Sequence, residues 1–254
     1  MVDVGGCSGA MIGPRAILTS AHCFASGTTS TSLTIEYFDP ATAADDPREI
    51  YSGPLEIHLH NEYDASASPR FTRANHDLAL VTIPSGAGHW QETGYEDYLR
   101  LYTGDIDSLT ELRQYGRGPN TQSGEGSGVL RTATFPIDTL TSERIELNST
   151  ADERVCKGDS GGAYLLPSQD FIACVHSRSD KSEGDKCAEN DPGSTDAVCS
   201  RPTPTSMEDL LLSANLECVQ YEDYQRCFDL PFINSVENEG LEQGLATAIY
   251  VSFS

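Results

Sequence analysis

Short runs of β-branched and aromatic residues, each cut off by a cluster of Gly, Pro, Asp or Ser, limit the fold of this chain more than any other feature. They lie at 16–19, 32–38, 55–59, 78–83, 128–134, 162–166 and 171–175. Runs of this length are too short for helices and carry side chains that fit a pleated surface. Their rhythm predicts an all-β sandwich or barrel. The polar stretch from about Ser85 to Asp107 has no strand pattern and reads as a connection between two halves. A chain of 254 residues is long enough to bury a sizeable core. No stretch approaches the ~18 consecutive apolar residues of a spanning helix. Sixteen Lys and Arg against 39 Asp and Glu leave a net charge of −23, a field that repels phosphate backbones and anionic lipid. Neither nucleic acid nor a membrane is expected as a partner.

The eight cysteines stand at 7, 23, 156, 174, 187, 199, 218 and 227. Their number is even and no C-x-x-C pair is present, so disulfides in an oxidising compartment are the better reading than zinc. An exported protein is expected. The sequence opens Met-Val-Asp-Val-Gly-Gly, without a basic or apolar leader, so either a secretion signal lies upstream of Met1 or the compartment reading fails.

The segment 178–245 breaks the strand rhythm. It carries 15 acidic residues against 5 basic ones and four of the cysteines, and reads as an insertion with its own disulfides. Within it Thr205-Ser206-Met207-Glu208 has the spacing of a capping box, and Met207, Leu211, Ala214 and Cys218 recur at helical intervals, which predicts one short helix. A structureless loop of such length is improbable in a compact domain, so a flap or subdomain is expected.

Three stretches carry chemistry, in the order histidine, aspartate, serine: Leu18-Thr19-Ser20-Ala21-His22-Cys23, Asn75-His76-Asp77-Leu78-Ala79-Leu80 and Cys156-Lys157-Gly158-Asp159-Ser160-Gly161-Gly162. A serine hydroxyl attacks well only when a base removes its proton, and an imidazole suits that task. His22 fits the role. The imidazolium then needs an oriented carboxylate on its other nitrogen, for which Asp77 is the candidate. Glycines around Ser160 let the backbone aim its amides at one point, and the amides of Gly158 and Ser160 are the candidate oxyanion donors.

These residues resemble the trypsin- and chymotrypsin-like serine endopeptidases. Several motifs stand in register: Cys7-Ser8-Gly9-Ala10-Met11-Ile12-Gly13-Pro14-Arg15 leading to Ala21-His22-Cys23, then Asp77-Leu78-Ala79-Leu80, Tyr115-Gly116-Arg117-Gly118 through Leu130 to Ile137, Gly158-Asp159-Ser160-Gly161-Gly162, and Val175-His176-Ser177. The resemblance covers Cys7 to about Ser179 and resumes at Ala246–Ser254. It implies two six-stranded antiparallel barrels, residues 1–97 with His22 and Asp77 and residues 98–254 with Ser160, and the catalytic groups in the cleft between them. It also implies a Cys7–Cys23 disulfide and a hydrogen bond from Ser177 to Asp77, and it places Arg154, His176, Ser177 and Ser179 at the substrate pocket. A protein or peptide substrate, a protein inhibitor and a monomeric state belong to the same expectation.

The pattern departs from the family at both ends. In the family a freed, hydrophobic N-terminus buries its amine against the Asp preceding the nucleophile, here Asp159. Only six residues precede Cys7, and Val4-Gly5-Gly6 sits too close to it to be that terminus. A buried, unpartnered carboxylate costs several kcal/mol, so Asp159 is expected to need another cation, or the chain is a truncated piece of a longer precursor. Ala246–Ser252 resembles the last barrel strand, with the usual C-terminal helix missing after it.

Arg154 stands where trypsin keeps its pocket Asp. With His176 it points to cleavage after Glu or Asp, since a carboxylate receives charge-assisted hydrogen bonds there. The alternative is that Arg154 faces solvent or pairs with Asp152 or Asp159. Glu36, Asp39, Asp45, Asp46 and Glu49 read as an acidic loop, not calcium ligands, and His58, His60, His76 and His89 have no ligand spacing. No metal and no cofactor are expected. The sequence therefore predicts a secreted serine endopeptidase working through an acyl-enzyme; the alternative is a catalytically silent homologue that binds partners through the 178–245 insertion.

Overall fold

The computed structural model describes residues 1–24, 30–37, 48–67, 70–84, 98–119, 121, 123–150, 153–167, 169–179, 187 and 195–229. Six strands, β1 (Val2–Val4), β2 (Cys7–Gly13), β3 (Ala16–Thr19), β4 (Ser30–Tyr37), β5 (Arg48–Leu59) and β6 (Ala79–Thr82), close into an antiparallel barrel in the order β1-β2-β3-β6-β5-β4. Val4, which precedes Gly5 and Gly6, thus ends a barrel strand paired to β2 and β4.

The unbroken apolar character of β2 and β3 has a structural cause. Successive side chains of a strand point to opposite faces, and here both faces are covered. Met11 and Ile17 join Val2, Val4, Tyr51, Leu55 and Val81 inside the barrel. Ala10, Ile12, Ala16 and Leu18 face the other way, packing with Leu78, Leu80, Ala163, Leu165 and Val175. Leu18 and Leu80 have no exposed surface, and each such burial is worth about 1.5–3 kcal/mol. That second face presses the barrel against the rest of the molecule and fixes where the cleft lies.

The second sheet contains β7 (Arg100–Tyr102), β8 (Glu111–Gly116), β9 (Arg131–Leu140), β10 (Arg144–Asn148), β11 (Ala163–Leu165), β12 (Phe171–Ser179), β13 (Thr195–Ser200), β14 (Leu216–Gln220) and β15 (Tyr224–Asp229). Its order is β11-β8-β9-β10-β13-β12-β7-β15-β14, and a further β11–β12 pairing brings β8, β9, β10, β13, β12 and β11 into a ring of six. Phe135, Tyr164, Leu112, Ile145, Leu147 and Val155 fill it, with Phe135 and Tyr164 edge to face at 5.8 Å. The two-barrel expectation holds, with three strands added alongside β12.

Several expectations are corrected. The segment 85–107 does contain a strand, β7, held in parallel pairing by β12. The expected insertion itself holds a barrel strand, β13, whose Ala197, Val198 and Cys199 are fully buried between β10 and β12; residues 246–254, where a last barrel strand was expected, lie outside the described residues. A helix does follow that strand, α1 (Pro204–Ser213). Its cap is Thr203 rather than Thr205, because Pro204 takes the first helical position, where a missing N–H costs nothing. Met207 and Leu210 are its buried residues, whereas Cys218 belongs to β14. Nor is the segment closed by its own disulfides: Cys187 bonds Cys156 and Cys199 bonds Cys174, so only Cys218–Cys227 is internal to it. Among the described residues no helix is long and apolar enough to cross a membrane.

Candidate active site

His22 sits in a 3-10 turn, Ala21–Phe24, directly after β3. Two polar residues of this strand end, Thr19 and Ser20, are fully buried, and both are anchored: Thr19 Oγ1 donates to the Ser8 carbonyl at 2.8 Å and Ser20 Oγ to the His176 carbonyl at 2.5 Å. The Cys7–Cys23 disulfide forms as the family resemblance implied and ties the residue after His22 to β2.

Asp77 has no exposed surface. It enters β6 through a tight turn in which His76 adopts φ +57° and the Leu78 amide donates to the His76 carbonyl at 2.7 Å. Its carboxylate is satisfied by three donors: the His22 main-chain amide on Oδ1 at 2.8 Å, His22 Nδ1 on Oδ2 at 2.8 Å, and the Ser177 hydroxyl on Oδ2. An acceptor at Nδ1 fixes the ring proton there and leaves the lone pair on Nε2. The His22 side chain is 22% exposed, so the imidazole reaches from a buried carboxylate to the surface.

Ser160 lies in the turn between Cys156 and β11. Gly158 takes φ +103° and Gly161 φ +79°, left-handed conformations open to glycine. At Gly161 a Cβ would also stand 2.1 Å from both the Ser8 carbonyl oxygen and Thr19 Oγ1. Ser8 stitches the turn to the first barrel, its amide donating to the Ser160 carbonyl at 2.7 Å and its Oγ to the Gly158 carbonyl at 2.9 Å, while the Gly161 amide donates to the His176 carbonyl of β12 at 2.9 Å. That last oxygen is the one Ser20 also binds. Ser8 and Ser20 were missed as positioning residues by sequence reasoning; the available signal was a hydroxyl at each end of apolar barrel strands.

The expectation that Asp159 needs a cation is corrected. Its side chain is buried, and Oδ1 accepts from the Gly118 amide and Oδ2 from the Cys156 amide, each at 2.7 Å. Burial pushes its carboxyl above the usual range, opposed by the Cys156, Gly118 and Arg117 amides and then by the charge of Arg131. Gly116 and Gly118 are glycine for a steric reason, since added Cβ atoms would fall 2.2 and 2.8 Å from Asp159 Oδ1.

The proposed pocket residues are not all brought together. Arg154 lines a cavity of about 180 Å³ whose walls include Arg131, Glu153 and Asp159 but neither His176 nor Ser179. His176 is 2% exposed, with Nδ1 3.2 Å from the Tyr164 hydroxyl, and Ser177 turns toward Asp77. Ser179 is buried at the end of β12. Asp152, Asp39, Asp45, Asp46 and His89 lie outside the described residues.

A family model described as Trypsin matches residues 1–199. The chain belongs to the trypsin family. The match runs past the expected limit at Ser179 into β13. Among solved structures, mouse neuropsin, a serine protease of the limbic system, is similar with a TM-score of 0.58 and 19% identity, covering 83% of this chain and 92% of that one. Human heparin binding protein follows with a TM-score of 0.52, 17% identity and coverage of 84% and 88%. A mutant of the same human protein gives a TM-score of 0.51, 16% identity and coverage of 96% and 92%. At these identities the likeness is one of trypsin-family fold.

Proposed function

We propose that this trypsin-family chain is a secreted serine endopeptidase whose nucleophile is Ser160. His22 Nε2 takes the Ser160 proton as Oγ attacks the scissile carbonyl; Asp77 holds the resulting imidazolium; the proton passes to the leaving amine, and water repeats the sequence on the acyl-enzyme. The Gly158 and Ser160 amides are the oxyanion donors of this scheme, each worth about 3–4 kcal/mol. Among the described residues neither amide donates to a backbone carbonyl, which favours that role. Residues 1–97 supply the base and its carboxylate, and residues 98–254 the nucleophile.

The observation that carries this reading is the anchored imidazole, held by a fully buried carboxylate and partly exposed, with the Ser160 turn hydrogen-bonded to Ser8 of β2, the strand paired with the β3 that leads to His22. Four disulfides among the described residues favour an oxidising, extracellular compartment. The proposed preference for Glu or Asp before the scissile bond rests on Arg154 alone, since His176 is buried against Tyr164 and does not line the same cavity. Replacing Ser160 by Ala tests the assignment: turnover of a protein substrate is expected to vanish while the unfolding midpoint stays in place, and retained turnover contradicts it.

A further inference from the structure

The end of β5 and the turn before β6 bring together two imidazoles and a carboxylate that the chemistry above does not use. The His60 amide donates to the Leu78 carbonyl at 3.0 Å, which sets the β5 end beside the His76-Asp77 turn. The His60 and His76 rings then lie 4.6 Å apart, and one ligand atom each from His60, Glu62 and His76 falls within 4.8 Å of the others.

We propose that His60, Glu62 and His76 form a binding site for a zinc-class divalent cation. Two imidazole nitrogens with one carboxylate oxygen are a donor set for zinc, with a fourth position left to water. One of the three separations fits that ion. Ligands about 2.0–2.1 Å from a tetrahedral zinc stand about 3.3–3.4 Å from one another, and His76 Nε2 is 3.4 Å from Glu62 Oε2. His60 Nδ1 accepts from the Glu62 amide at 3.1 Å, so a cation taking this nitrogen displaces that hydrogen bond. His76 Nδ1 is buried without a hydrogen-bond partner among the described residues, so none of these fixes the ring proton against a cation at Nε2. The Glu62 side chain is 66% exposed and can follow an ion held between the two imidazoles by rotation.

The surroundings favour a cation too. Asp209 of α1 lies near enough to act on His60 electrostatically and binds the Asn61 side chain, adding negative charge beside the site. A second histidine cluster among the described residues, Cys7, His22 and Cys23, is not comparable, because both sulfurs are committed to a disulfide. Since His76 is followed by Asp77, a cation there clamps the turn that carries the Asp77 carboxylate.

Calorimetric titration of chelator-stripped protein with Zn²⁺, alongside thermal unfolding with Zn²⁺ or Mg²⁺, tests the proposal. One Zn²⁺ per chain is expected, with a rise in the unfolding midpoint that Mg²⁺ does not produce. Glu62→Gln, at an exposed position, and His76→Asn, which keeps a residue tolerant of the left-handed turn, are each expected to weaken binding at least about tenfold, whereas His22→Ala binds as the unmodified chain does. Absence of stoichiometric binding, unchanged binding in both site variants, or loss of binding in His22→Ala overturns it.

Discussion

Asp77 holds His22 at two points, accepting the main-chain amide on Oδ1 and ring Nδ1 on Oδ2, each at 2.8 Å. The double contact fixes both the position and the tautomer of the imidazole. An amide in place of the carboxylate cannot accept at both oxygens. Asp77→Asn is therefore expected to fold and to lose about 10⁴-fold in kcat, measured on any substrate the protein turns over. A loss below tenfold removes Asp77 from the mechanism.

Gly161 is fixed by contact with the first barrel as well as by its φ of +79°. A methyl group there meets the Ser8 carbonyl and Thr19 Oγ1 at once, so Gly161→Ala is expected to destabilise the protein by at least about 2 kcal/mol. Chemical denaturation measures it, and an unchanged midpoint contradicts the packing of the Ser160 turn against β2 and β3.

Asp159 makes stability pH-dependent in a defined direction. Burial raises its carboxyl, so the folded protein holds that proton more tightly than the unfolded chain does. Such a group adds stability that is fully present below the unfolded pKa and is lost as pH rises through the folded one. Asp159→Asn, which mispairs one of the two amides on the carboxylate, is expected to cost about 1–3 kcal/mol. The advantage of the unmodified protein over this variant should be larger at about pH 4 than at about pH 7. An advantage that grows with pH contradicts the direction of the shift.

Arg154 carries the specificity prediction. In a peptide library, substrates with Glu or Asp before the scissile bond are expected to exceed Leu, Phe and Lys by about tenfold to a hundredfold in kcat/KM, a margin that falls in Arg154→Ala. Preferential cutting after Leu, Phe or Lys rejects the acidic pocket.

Much of this was legible in the residues, and the exceptions have physical causes. The run 16–19 is β3 to the residue, because its apolar residues are bounded by Pro14 and by the Ser20 anchor. By contrast β13 begins Thr-Asp within an acid-rich segment, and its apolar character acts only once it slots between β10 and β12. The pairing of His22 with Asp77 was readable from motif order. The partners of Asp159 were not, because backbone amides leave no side-chain signature. Nor was the His60–Glu62–His76 cluster, which depends on the register of β5 against the turn before β6.

Labelling of the folded, disulfide-intact protein with a fluorophosphonate, followed by mass mapping, tests the central claim most directly. A single adduct at Ser160, absent in His22→Ala, is the predicted result. No adduct at Ser160 in a folded sample contradicts it and leaves a trypsin-family chain that binds without cutting.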